Sequence, residues 1–186
     1  MTSSIKLSKI VFLDVEASGL GDRCYPIEVG IVRAADLSGW SALVRPAWSW
    51  RRRGRWEAKA EALHGISQAE IEAEGWDVVE VARALNEQLA GMAVFSDAAD
   101  FDGHWLEMLF AESMEPQTFD LLFTTALFNN WREMVEVDCP LAPLPEAGAE
   151  SNRGRRHRAK DDAFALAMEF WRAIRIPATK PQSLRP

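Results

Sequence analysis

The sequence predicts an α/β layer fold built on a mixed sheet. Three strand-like segments follow one another with short connections between residues 9 and 45, as in an antiparallel meander, and beyond them helical patterns alternate with short apolar strands. The composition agrees: 48% hydrophobic and 26% charged residues in a chain of 186 fit one ordinary globular domain with a core of its own, expected here over residues 1–176.

Residues 9–16 form the first expected strand, Pro26–Arg33 the second and Trp40–Arg45 the third, with turn residues between them. Residues 46–56, rich in Trp and Arg, carry no clear periodicity and are expected to form a surface loop. Trp48, Trp50 and Trp56, interleaved with arginines, suit either stacking on bases or covering the sheet edge. From Glu57 the pattern turns helical. Ser67-Gln-Ala-Glu70 and Asp77-Val-Val-Glu80 have the form of capping boxes, and Val78, Val81, Ala82, Leu85 and Leu89 keep one helical face until Gly91. Met92–Ser96 is a short buried strand, followed by a helix over Asp102–Ser113. Thr118–Asp120 makes a fifth strand, and a helix with Leu122, Ala126 and Trp131 follows. Residues 135–156 are expected to be a long loop, Ala159–Ile174 a last helix with Phe164, Ala167, Met168 and Trp171 facing the core, and 177–186 a mobile tail.

No apolar run approaches membrane-spanning length, and Met1-Thr-Ser-Ser-Ile-Lys6 lacks the apolar region of a secretory signal, so a cytoplasmic location is expected. Cys24 and Cys139 have no metal-ligand spacing and fit a reduced pair. The formal net charge of -7 opposes binding to a polyanion, but Arg51-Arg52-Arg53 with Arg55, and Arg153, Arg155, Arg156, Arg158 with Lys160, concentrate positive charge in two runs.

Three places carry chemistry. Ile10-Val-Phe-Leu13 leads into Asp14-Val15-Glu16, and a Ser-Gly turn follows. Residues i and i+2 of a strand share a face, so Asp14 and Glu16 point the same way at a strand end. Two carboxylates side by side repel unless a proton or a cation lies between them, and a hard divalent ion suits them. The plainer account is a polar strand end in solvent. Next, three aspartates, Asp97, Asp100 and Asp102, lie between a strand and a helix. Asp102 is chosen because it opens the helix, although aspartate is favoured there by capping alone. Last, His157 at a loop end precedes Asp162 in the first turns of a helix by five residues. Histidine titrates near neutrality and can take a proton from water. An exposed histidine among arginines, with Asp161 and Asp162 serving the helix terminus, is the bland alternative. His64 is expected in a turn and His104 on a helix surface.

D-x-E, then a strand-to-helix aspartate, then H-x-x-x-x-D on a final helix, in that order, resembles the DEDD superfamily of 3′-5′ exonucleases in its histidine-bearing, DEDDh branch. The resemblance spans residues 9–174. Leu13–Leu20 is similar to the first motif, with Ala-Ser-Gly where the family usually has Thr-Gly. Pro26–Gly30 is similar to its second strand, Leu63–Ser67 to a helix-entry turn, Phe119–Leu122 to the strand and helix after the second motif, and His157–Asp162 to the third motif. The second motif departs from the pattern: Ser96–Asp102 is one residue longer than the usual His-Asn-Ala lead and lacks both His and Asn, so Asp97 and Asp100 stay open as rivals of Asp102.

The resemblance implies a ribonuclease H-like fold with a central mixed five-stranded sheet flanked by helices. It implies two Mg²⁺ or Mn²⁺ ions held by Asp14, Glu16, Asp102 and Asp162, with His157 acting on the attacking water and Val15 and Leu20 facing the terminal nucleotide. The partners would be 3′ ends of single-stranded DNA or RNA, and the products nucleoside 5′-monophosphates. The bound cations would offset the acidic net charge where the scissile phosphate docks. Many members of the family form homodimers, and no apolar stripe in this chain is clearly spare for one. The alternative is a non-catalytic nucleic-acid-binding domain that keeps the fold.

Overall fold

A computed structural model describes residues 4–141 and 157–175. β1 (Ile5–Lys6) and a single 3₁₀ turn over Leu7–Lys9 lead into β2 (Ile10–Ala17), whose first four residues are fully buried, as a run of Ile, Val, Phe and Leu requires. β3 (Pro26–Arg33) and β4 (Gly39–Leu43) complete the meander. Then come α1 (Trp48–Arg53), α2 (Ala58–His64), α3 (Gln68–Glu74), α4 (Val78–Leu89), β5 (Ala93–Ser96), α5 (Ala99–Ser113), β6 (Leu121–Phe123), α6 (Thr124–Met134), β7 (Val135–Glu136) and α7 (Ala159–Arg175).

The main sheet has the order β4-β3-β2-β5-β6, with β3 antiparallel to β2 and β4, and β5 and β6 parallel to β2. It is the mixed five-stranded sheet expected from the sequence. Alternation along β2 divides the core. Val11, Leu13, Val15 and Ala17 pack with α4 and α5 through Val81, Leu85, Leu106 and Leu109. Ile10 and Phe12 pack on the other face with Leu127 of α6 and with Ala163, Ala167, Phe170 and Trp171 of α7. The helical stripe of α4 is buried as read, and both capping boxes form: Ser67 with Glu70, and Asp77 with Glu80. In α7, Ala167, Met168 and Trp171 are buried and Phe164 is partly so.

Several expectations need correction. The Trp- and Arg-rich segment contains a helix, α1, because Trp50 is buried against Tyr25 with ring centroids 5.7 Å apart. Six residues are too few to show a periodicity. Trp56 is partly buried and donates to Glu61, so of the three tryptophans only Trp48 is largely exposed. The fifth strand lies at Leu121–Phe123 rather than Thr118–Asp120, since Thr118 is held by the Asn86 side chain through both its N–H and its hydroxyl. Leu122 therefore belongs to that strand and not to the following helix. The expected loop from residue 135 begins with β7, which pairs in parallel with β1. Its remainder, 142–156, and the expected tail, 177–186, lie outside the described residues. His64 is not in an open turn: it ends α2, buried, and its Nδ1 accepts the Ile66 N–H.

The seating of α7 on the sheet requires a glycine. A Cβ at Gly30 would come within 2.1 Å of the Lys160 backbone nitrogen and 2.3 Å of the Ala159 carbonyl carbon. Gly103, inside α5, has nothing within 4 Å of the same position. Gly30→Ala is therefore expected to lower stability in urea by about 1–3 kcal/mol. Gly103→Ala is expected to raise it by about 0.5–1 kcal/mol through helix propensity.

Candidate active site

At the C-terminal end of β2, Asp14 and Glu16 project to the α7 side of the sheet while Val15 turns into the opposite core. Asp14 lies opposite Gly30 in β3, and Glu16 opposite Glu28. The neighbouring parallel strand, β5, ends at Ser96, and α5 starts three residues later. Ser96 Oγ accepts the Ala98 N–H at 2.9 Å and donates to Asp102 Oδ2, tying the start of the helix to the strand end. Asp102 is 3% exposed, and the Val15 backbone N–H lies close enough to favour its charged form, so it stands beside β2.

The third part of the site comes from far along the chain. Glu28 is 3% exposed and receives Arg158 Nε at 3.0 Å, Arg158 Nη2 at 2.8 Å and the Ala159 N–H at 3.0 Å. The His157 N–H donates to the Leu63 carbonyl near the end of α2. These bonds place the first turn of α7 against β3, where His157 Nδ1 lies 3.1 Å from Asp162 Oδ2. One ligand atom each of Glu16, His157 and Asp162 falls within 4.8 Å of the others. With Nδ1–H donated to Asp162, Nε2 of His157 is left to accept a proton.

No family model and no curated protein matches this sequence. Its fold is nevertheless similar to solved structures of E. coli exonuclease I. In complex with a dA16 oligonucleotide, that protein aligns at a TM-score of 0.64 and 16% identity over 90% of this chain and 41% of its own. Its zinc-ion-bound form in complex with single-stranded DNA aligns at 0.60 and 15% over 86% and 39%, and an apo structure of exonuclease I at 0.60 and 14% over 89% and 41%. The fold is ribonuclease H-like. The present chain spans about two fifths of the length of those relatives, and at this identity the likeness concerns the ribonuclease H-like fold alone.

The sheet brings Asp14, Glu16, Asp102, His157 and Asp162 to one end. Asp97 and Asp100, the rivals of Asp102, are both exposed. Asp97 still bears on Asp14 and Asp162 by its charge, whereas Asp100 lines a cleft with Leu20, Phe101 and Trp105. Asp102 does not open its helix, as the sequence suggested. It sits in the first turn, because the Ser96 side chain moves the start forward to Ala99. Leu20 is 78% exposed at the cleft, but Val15 is 8% exposed and packed in the core, leaving a substrate only a narrow margin of it. His104 is exposed, as read. Glu28 escaped the sequence reading. Its signal was a carboxylate within an apolar strand, on the face of Glu16, which needs a buried counter-charge.

The electrostatics of the site call for cations. Burial first, then the charges of Asp102, Glu16, Asp162 and Asp97, push Asp14 up to about 9. Burial, with Asp162 and Glu28 nearby, pushes Glu16 up to about 7. Burial also pushes Asp102 up to about 7 against the Ser96 hydrogen bond, and raises Asp162 against the pull of His157. No described side chain donates to Asp14 or Glu16. Carboxylate oxygens with one imidazole fit a hard divalent ion.

A carboxylate whose folded pKa lies above its unfolded value holds a proton that unfolding releases, so stability is lost as pH rises toward the folded value. Free of divalent ions, the protein is expected to lose thermal stability as pH rises from about 4 toward 9, the window set by Asp14. Asp14→Asn should recover about 1–2 kcal/mol at pH 8, roughly 2–8 °C in Tm, and added Mn²⁺ should stabilise the wild type more at pH 8 than at pH 5. Arg158→Ala leaves Glu28 buried without its cation and should cost about 3 kcal/mol in urea unfolding.

Proposed function

We propose that this chain is a metal-dependent 3′-5′ exonuclease acting on single-stranded DNA or RNA in one exonuclease-like domain. The observation that carries the proposal is the convergence of four carboxylates that, among the described residues, have too few positive partners, beside a histidine aimed at one of them. Asp14, Glu16, Asp102 and Asp162 would hold two Mg²⁺ or Mn²⁺ ions, which when bound stabilise the attacking and leaving oxygens of an in-line phosphoryl displacement.

The chain's own groups supply the rest. His157 is oriented through Nδ1 by Asp162 and takes the proton of the attacking water at Nε2. Arg158 stays engaged with Glu28 and keeps His157 in reach of Glu16. Leu20 offers an apolar contact to the terminal base, with Val15 contributing its exposed margin. The exposed position of His157 gives water a path to it. Products are nucleoside 5′-monophosphates. The similar structures of E. coli exonuclease I with oligonucleotides support a single-stranded substrate. The two unpaired cysteines fit a cytoplasmic setting. Among the described residues no helix is long and apolar enough to cross a membrane.

Digestion of 5′-labelled single-stranded DNA and RNA with Mg²⁺ or Mn²⁺ tests the reading. A ladder shortening from the 3′ end is expected for the wild type, its preferred sugar shown by the faster digestion, and none for Asp14→Ala. His157→Asn should lower kcat by about 10²–10⁴-fold with KM little changed. Binding of both polymers without cleavage by the wild type would instead identify a nucleic-acid-binding domain.

A further inference from the structure

The cleft at Leu20 and Phe101 does not end there. It has a volume of about 240 Å³, and a second cleft of about 220 Å³ adjoins it at Asp22, which lines both. Helix α5 forms one wall throughout: Phe101, His104 and Trp105 in the first cleft, Met108 and Glu112 in the second. Those positions recur at helical spacing on a single face, so the groove follows α5 for about 16 Å. At about 3.4 Å per stacked nucleotide, that holds several nucleotides.

The far end of the groove differs in character from the near one. Asp22 and Asp100 stand near Leu20 with no cation among the described residues of that cleft, whereas in the far cleft Arg23 and Arg53 face Asp22 at its edge and Glu112, which accepts the Ser49 hydroxyl. On the same short helix as Arg53, though lining neither cleft, the guanidinium of Arg52 lies 4.7 Å from the ring centroid of Trp48, which is 68% exposed. Arg51, on the same helix, is paired with Glu72, but Arg23 and Arg53 have no side-chain partner among the described residues. The arginines of α1 suit the negative end of their helix. Arg23 belongs to no helix, so the dipole does not account for it.

Resting on the exonuclease reading, we propose that this groove between α5 and α1 carries the single strand upstream of its 3′ end. Arg23 and Arg53 hold phosphates there, and the Trp48–Arg52 pair stacks a base. An exposed aromatic beside unpaired guanidinium groups suits a single-stranded polyanion, with phosphates held by charge and bases by stacking. A longer strand then binds more tightly than a short one without any further contact at the terminal nucleotide.

The test uses fluorescence anisotropy of 5′-fluorescein-labelled oligo(dT) of 3 and 12 nucleotides, in the presence of Mg²⁺ and in the Asp14→Ala background, which removes turnover. With Arg23→Glu and Arg53→Glu added, affinity for the 12-mer should fall at least ten-fold while that for the 3-mer holds. The slope of log affinity against log salt should shrink by about 1.4, two phosphates at about 0.7 each. Trp48→Ala, a surface change that leaves the charges in place, should weaken the 12-mer and spare the slope. Unchanged 12-mer affinity and slope in the charge-reversed variant would overturn the groove, and so would an equal loss for both lengths. Failure of the exonuclease reading shows separately, as a wild type that binds with this length dependence but does not cut.

Discussion

Arg158 reaches back across 130 residues to a glutamate in the middle of the sheet, and the site depends on that contact. Glu28 faces the same side of the sheet as Glu16, directly across the β2–β3 pairing. Left alone, it would add another buried negative charge to a place already crowded with them. With Arg158 and the Ala159 N–H upon it, it becomes an anchor for the start of α7. The bare Cα of Gly30 then allows the helix backbone to settle onto the strand. His157 and Asp162 stand beside Glu16 because the residues between them are held in this way.

The same arrangement explains how a fold can carry a cluster that works against it. Carboxylates at one end of a sheet repel, and burial raises their pKa values further. A hydrophobic core on both faces of β2, with Phe12 and Leu13 fully buried on opposite sides, holds the strand in place against that repulsion. Among the described residues, Arg158 is the arginine beside the cluster, and it is engaged with Glu28. The remaining negative charge is available for cations, which would offset it, and the net charge of -7, where the proposed reaction needs a phosphate to dock.

Much of this was legible in the chain. Hydrophobic alternation and turn residues located the meander, capping boxes located two helices, and the apolar stripe of α4 was read residue by residue. Local chemistry wrote those features. The short helix at Trp48–Arg53 and the strand pair β1–β7 were not legible, since each exists through contacts with residues distant in sequence: Trp50 on Tyr25, and Ile5 beside Val135. The displaced fifth strand has the same origin, because Asn86 captures Thr118 from another helix.

For the site, the sequence by itself determined that Asp14 and Glu16 share a face, that an aspartate follows the strand at Ser96, and that His157 precedes Asp162 by five residues on a final helix. Those are consequences of strand and helix periods, which act within a few residues. Only the tertiary structure decided which of the three aspartates near Ser96 is buried beside β2, and that Val15 belongs to the core while Leu20 lines a cleft. It also decided that Glu28 and Arg158 hold the two ends of the chain together. Burial and counter-charge are properties of whatever packs against a residue, and in this fold the packing partners come from strands and helices that the chain order keeps far apart.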